Sequence, residues 1–91
     1  MDPTLSSRPL EYPLYLKPGF SREVLHTVGE AAMFIKELPA KYDGVLHWSL
    51  AGATVEDAAR RSDSADALRV ATMAMELALE TEGMLRSGEV K

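Results

Sequence analysis

The run SADALRVATMAMELALETEGMLR, Ser64 to Arg86, constrains this chain more than any other stretch. Wound at the helical period, it brings Leu68, Ala71, Met75, Ala78 and Leu79 onto one face. Val70, Ala74, Leu77 and Met84 widen that face to roughly two-thirds of the circumference. Arg69, Thr72, Glu76 and Glu80 form the polar stripe that remains. A helix this apolar needs cover on several sides, so the upstream chain reads as its wrapping. On that reading Leu77 and Ala74 are core positions, where Leu77→Ala or Ala74→Glu would collapse the fold.

Upstream, Met1 to Pro9 carries two prolines and three hydroxyl residues and reads as a flexible tail. Leu10, Tyr12, Leu14 and Leu16 alternate with Glu11, Pro13, Tyr15 and Lys17, the period of a half-buried strand. Pro13 cannot donate to a ladder and belongs at that strand's start or on an edge. Pro18-Gly19 supplies turn chemistry, and Arg22 to Thr27 reads as the returning strand of an antiparallel hairpin.

Thr27 and Glu30 are spaced as a capping box, with the Thr27 hydroxyl on the Glu30 N–H and the carboxylate reaching back to Thr27. The helix they open places Val28, Ala31, Ala32, Ile35 and Leu38 on one side, Phe34 at its margin, and ends at Pro39. Asp43 is the expected N-cap of a middle helix with inner residues Val45, Trp48, Ala51, Gly52, Val55, Ala58 and Ala59. Its apolar face stays in phase across Gly52, which favours one continuous helix over a break at Thr54. Ser62 to Ser64 turns into the last helix; Gly83 loosens the end of that helix and Gly88 to Lys91 frays. The expected fold is α+β: an N-terminal two-stranded antiparallel hairpin followed by three helices, the last central. Residues 10–87 form the domain.

With 91 residues a single small core must suffice, and without cysteine neither disulfides nor thiolate metal sites can reinforce it. The net charge of −4 disfavours a sequence-independent nucleic-acid binder, which needs a basic face. No apolar run approaches the ~20 residues of a membrane span. MDPTLSSRPLEYP has no basic-then-apolar signal pattern, so a cytoplasmic protein is expected.

The run PLYLKPGFSREVLHTVGEAAMFIKELP, Pro13 to Pro39, resembles the opening of a small bacterial family known only as domain of unknown function nine-eight-two. The likeness lies in an extended segment, a helix start of the kind seen in Val24 to Ala32, and a proline closing that helix. Two more helices follow in that family, the last often opening with an Ala-Arg pair. Here Ala67-Leu68-Arg69 stands in that place, and Leu38-Pro39 replaces the family's Trp-Pro. The middle-helix cysteine common in the family and the glycine before its last helix are missing. The resemblance implies the same order of elements and brings no activity with it.

Chemistry must therefore be sought residue by residue. His26 and His47, the two histidines, lack metal-ligand spacing. His26 reads as a turn residue and His47 as a partly buried, hydrogen-bonded imidazole beside Trp48. Glu56, Asp57, Asp63, Asp66, Glu76 and Glu80 belong to solvated faces, with no calcium- or magnesium-loop pattern. Glu82 falls by phase toward the apolar arc: either the helix frays after Gly83, or Glu82 answers a neighbouring helix or subunit. Met33, Met75 and Met84 read as core filling, with Met73 the one placed for exposure beside the Arg69–Glu80 stripe. No phosphate loop, nucleophile elbow or dinucleotide fingerprint occurs. No catalytic, metal or cofactor-binding residue is assigned, and no cofactor is expected.

Three functional readings follow. The first is a non-enzymatic interaction or dimerisation module. A two-stranded sheet leaves both edges unpaired, which predicts a symmetric homodimer burying Leu14, Tyr15 and Leu16. The second is a helix-turn-helix nucleic-acid binder over Thr54 to Arg69. Against it, Arg69 is the one cation near the start of the recognition helix and is flanked by Asp63 and Asp66. The third is a small-ligand binder or enzyme using His26, His47, Trp48 and Tyr42.

Overall fold

The N-terminal hairpin is built around a bulge that the strand pattern alone does not reveal. The computed structural model describes residues 6–19, 22–42, 44–61 and 63–85. Strand β1 (Pro9–Tyr15) pairs antiparallel with β2 (Val24–Thr27), which begins two residues later than the sequence suggested. Pro9 faces Thr27 and Leu14 faces Leu25, so β1 advances five residues while β2 advances two. Pro13 falls in that bulge, where its missing N–H breaks no ladder bond. Leu10, Leu14 and Leu16 point inward as the alternation predicted, and Tyr12 is partly exposed.

The bulge frees the Glu11 N–H, and Thr72 on the last helix accepts it at 3.2 Å. The same hydroxyl donates to the Leu68 carbonyl at 2.9 Å. Thr72 is therefore fully buried instead of lying in a solvated stripe, with both hydrogen-bonding capacities used. Thr72→Val keeps the shape and orphans the Glu11 N–H. It should destabilise by about 1–3 kcal/mol in urea unfolding; an unchanged midpoint would mean that water reaches this amide.

Helix α1 (Val28–Lys36) follows β2 directly, with Thr27 as N-cap, and the Thr27 hydroxyl accepts the Glu30 N–H at 3.0 Å. The Glu30 carboxylate reaches one residue further back than expected, to the His26 N–H at 2.6 Å. The N–H groups of Val28 and Gly29 donate to the carbonyls of Arg8 and Ser6. Ser6 to Pro9 are thus tied to the fold and are not tail; Met1 to Leu5 lie outside the described residues. Phe34, expected at the margin, is buried, while Ile35 and Leu38 are half-buried. The helix closes on Glu37, two residues before Pro39.

A single 3₁₀ turn, Ala40–Tyr42, leads to α2 (Leu46–Arg60), which runs unbroken through Gly52. Val45 occupies its N-cap and makes no side-chain cap bond; Asp43, expected there, lies outside the described residues. The C-terminal carbonyls of α2 are served from the other end of the chain. The Arg8 guanidinium donates to Ala58 O at 3.2 Å, Arg61 O at 2.8 Å and Ser64 O at 2.7 Å. A cation on these carbonyls also opposes the negative end of the helix dipole.

Helix α3 (Ala65–Thr81) is capped by Ser64, whose hydroxyl accepts the Ala67 N–H. Its end is a firm stop and not a loosened turn. Gly83 sits at φ +72°, the Gly83 N–H reaches Glu80 O and the Met84 N–H reaches Leu79 O, the double bond of a Schellman motif. The chain then lies against β1: Leu85 bridges Leu16 and the Lys17 N–H donates to Met84 O. Together with Thr72, this covers the β1 edge that was expected to be open.

The architecture is therefore the expected α+β one, an N-terminal hairpin followed by three helices. Helix α3 packs on α2 and β1 while α1 packs on α2 and β2. The predicted inner residues Ala71, Met75, Ala78 and Leu79 are fully buried. The wide arc is corrected: Val70 and Leu77 are 51% and 56% exposed, and Ala74 is half-buried. Cover comes from two sides and leaves the third open. Leu77 is not a core residue. Among the described residues, no helix is long and apolar enough to cross a membrane.

Candidate interaction face

Helices α2 and α3 pack on each other. Much of what they bury is small: Ala51, Ala58 and Ala59 on α2 and Ala67, Ala71 and Ala78 on α3. Several of their larger aliphatic groups fall at other phases. Leu46 (81% exposed), Leu50, Val70, Met73 and Leu77 all face solvent. His47 of α2 pairs with Glu82 at the end of α3, Nε2 to Oε2 2.8 Å, so the first turn of α2 lies beside the last turn of α3. By helical phase Leu46 and Leu50 then sit on the solvent side of the α2–α3 seam, next to Leu77.

The trough where α3 meets β1 has a volume of about 670 Å³ and is lined by Tyr12, Val70, Met73, Ala74 and Leu77, with charged groups along its rim. Arg69 is held by Asp66 at 3.2 Å and Glu11 at 3.6 Å, both exposed pairs. The Tyr12 hydroxyl donates to the Glu76 carboxylate. That bond, then partial burial and the charges of Glu76 and Glu11, push the phenol up from 10.0 to about 12. The link holds at every pH below 10.0 and fades as the pH climbs through about 12. In difference absorbance against Tyr12→Phe, Tyr12 should titrate near 12, and Glu76→Gln should bring it back toward 10.0. An unmoved midpoint would detach Glu76 from the phenol.

Of the residues weighed for catalysis, Tyr42, His47 and Trp48 lie together and His26 is not among their ring contacts. Trp48 is the centre of an aromatic group, with Phe34 and Tyr42 rings each 6.2 Å away and the His47 ring at 5.7 Å. Tyr42 and Trp48 line a cleft of about 460 Å³ between α1 and α2 with Ile35, Leu38 and Glu56; neither histidine lines it. His47 is turned to Glu82, so the salt-bridge alternative for Glu82 is the one observed. His26 lies exposed on β2 and serves the cap through its backbone. Among the described residues, no group of three or more His, Asp or Glu could hold a metal ion.

In the helix-turn-helix segment, Arg60 and Arg61 both pair with Asp57, and Arg69 with Asp66 and Glu11. Met73 is exposed as expected from its place beside the polar stripe. The sequence reading missed Leu46 and Leu50. Their signal was available: both fall off the phase of Trp48, Ala51 and Val55. No protein-family model, curated protein or solved structure matches this chain.

Proposed function

We propose that this chain is a non-enzymatic interaction module that docks through the outer face of its α2–α3 pair. One observation carries the reading: Val70, Met73 and Leu77 line one open trough along α3, and Leu46 and Leu50 of the neighbouring α2 are likewise half or more exposed. Scattered surface leucines are ordinary, but a contiguous apolar patch on a small protein marks a contact surface. Met73 is a flexible side chain suited to moulding against a partner.

The helix-turn-helix alternative draws less support, because the carboxylates of Asp66 and Glu11 stand beside Arg69 and would repel phosphate. The hairpin-edge route to association draws less support, because Thr72 and Leu85 bond to the β1 edge at Glu11 and Leu16. A photo-crosslinking phenylalanine at position 73 or 50 of the full chain, produced in cells, tests the docking face. Discrete adducts should form from both positions and not from position 56 on the opposite side of α2. An absence of adducts from both would overturn the reading.

A further inference from the structure

We propose that the occupant of this face is a second copy of the chain, docked antiparallel across a two-fold axis so that the outer faces of the two α3 helices meet. The proposal rests on the interaction reading above and names its partner.

Shape and area point to a partner of matching size. The molecule is a slab of 32 × 32 × 19 Å, and the apolar side chains are spread over two neighbouring helices and not gathered in a closed pocket. A stable interface draws about 800 Å² from each partner, with an apolar centre and a polar rim. The outer side of α3 is an open apolar strip of Val70, Met73 and Leu77 that an equally open helix face can cover along its length.

Symmetry supplies the specificity. Val70 and Leu77 are equidistant from the point between Met73 and Ala74. A two-fold axis at that point sets Val70 against the partner's Leu77, and the reverse. Such an axis reverses the helix direction but keeps the two flanks of the interface on their own sides. Arg69, Glu76 and Glu80 share the β1-proximal flank of α3. Reversal therefore brings Arg69 between the partner's Glu76 and the partner's Glu80, twice per dimer. The helix dipoles oppose each other in the same arrangement. A parallel two-fold would instead exchange the flanks and set this charged flank against the uncharged flank of the partner. The present partners of Arg69 are exposed, so exchanging or sharing them costs little.

Sedimentation equilibrium of the full chain up to about 100 μM tests this. The mass should rise from 10.0 kDa toward twice that value. Leu77→Glu should weaken association on the order of tenfold or more while the helical circular dichroism is kept, because the position is already exposed. Arg69→Glu should also weaken it, and adding Glu80→Arg in the same chain should restore it. Residues 69 and 80 are three turns apart on one helix, so that rescue can come only across the interface.

A mass fixed at 10.0 kDa overturns the dimer but leaves the interaction reading to the crosslinks from position 73, which would then reach a different protein. A dimer indifferent to Leu77→Glu overturns the face. Failure of the charge swap to rescue overturns the antiparallel register.

Discussion

Leu79→Ala should remove about 2–5 kcal/mol of stability, a large share of what a domain this small holds. Leu79 is fully buried in the common core with Leu14, Leu16, Leu25 and Met75. Its carbonyl also anchors the Schellman turn that sends Met84 and Leu85 back to β1. A cavity there sits where helix, hairpin and C-terminal segment join, and the backbone bonds around it limit collapse into the space. Leu77→Ala, two residues earlier, is the control. At concentrations low enough for the monomer it should change stability by no more than about 0.5 kcal/mol, because the site is exposed. Urea unfolding of both variants decides the matter: equal midpoints would mean that α3 does not pack through the face described.

Arg8→Ala carries the next largest effect, about 1.5–3 kcal/mol, since three carbonyl acceptors lose a charged donor at once. The guanidinium spans the end of α2, the turn and the cap residue of α3, so one side chain fastens the N-terminal segment to the α2–α3 junction. Arg8→Lys should recover only a minor part, because an ammonium cannot reproduce the planar fork. If Arg8→Lys unfolds at the wild-type urea concentration, the clasp is a point charge and its geometry is immaterial. Loss of the clasp should also raise amide exchange at Val28 and Gly29, which bond to Arg8 and Ser6.

Local chemistry was legible in the sequence wherever the partners are near in the chain. The Thr27–Glu30 cap, the continuity of α2 through Gly52, and the buried set Ala71, Met75, Ala78 and Leu79 follow from spacing alone. So does the α+β order of elements, because period two and period three-and-a-half patterns occupy separate stretches. Periodicity reports which residues share a face of a helix. It does not report how many neighbours arrive to cover that face.

That second question was decided only by the tertiary structure. Helix α3 received two neighbours, α2 and β1, and so Val70 and Leu77 stayed outside an arc that sequence made look wholly internal. Thr72 moved the other way, because a bulge in β1 released an amide 61 positions upstream that needed an acceptor. The Arg8 clasp, the His47–Glu82 pair and the Leu16–Leu85 bridge likewise join residues far apart in the chain. A side chain's hydrogen-bonding capacity is visible in sequence; the carbonyl or carboxylate that uses it is chosen by which elements pack together. The same holds for the proposed docking face. Its leucines and methionine were visible one by one, and only the packing of α3 on α2 and β1 left them facing outward.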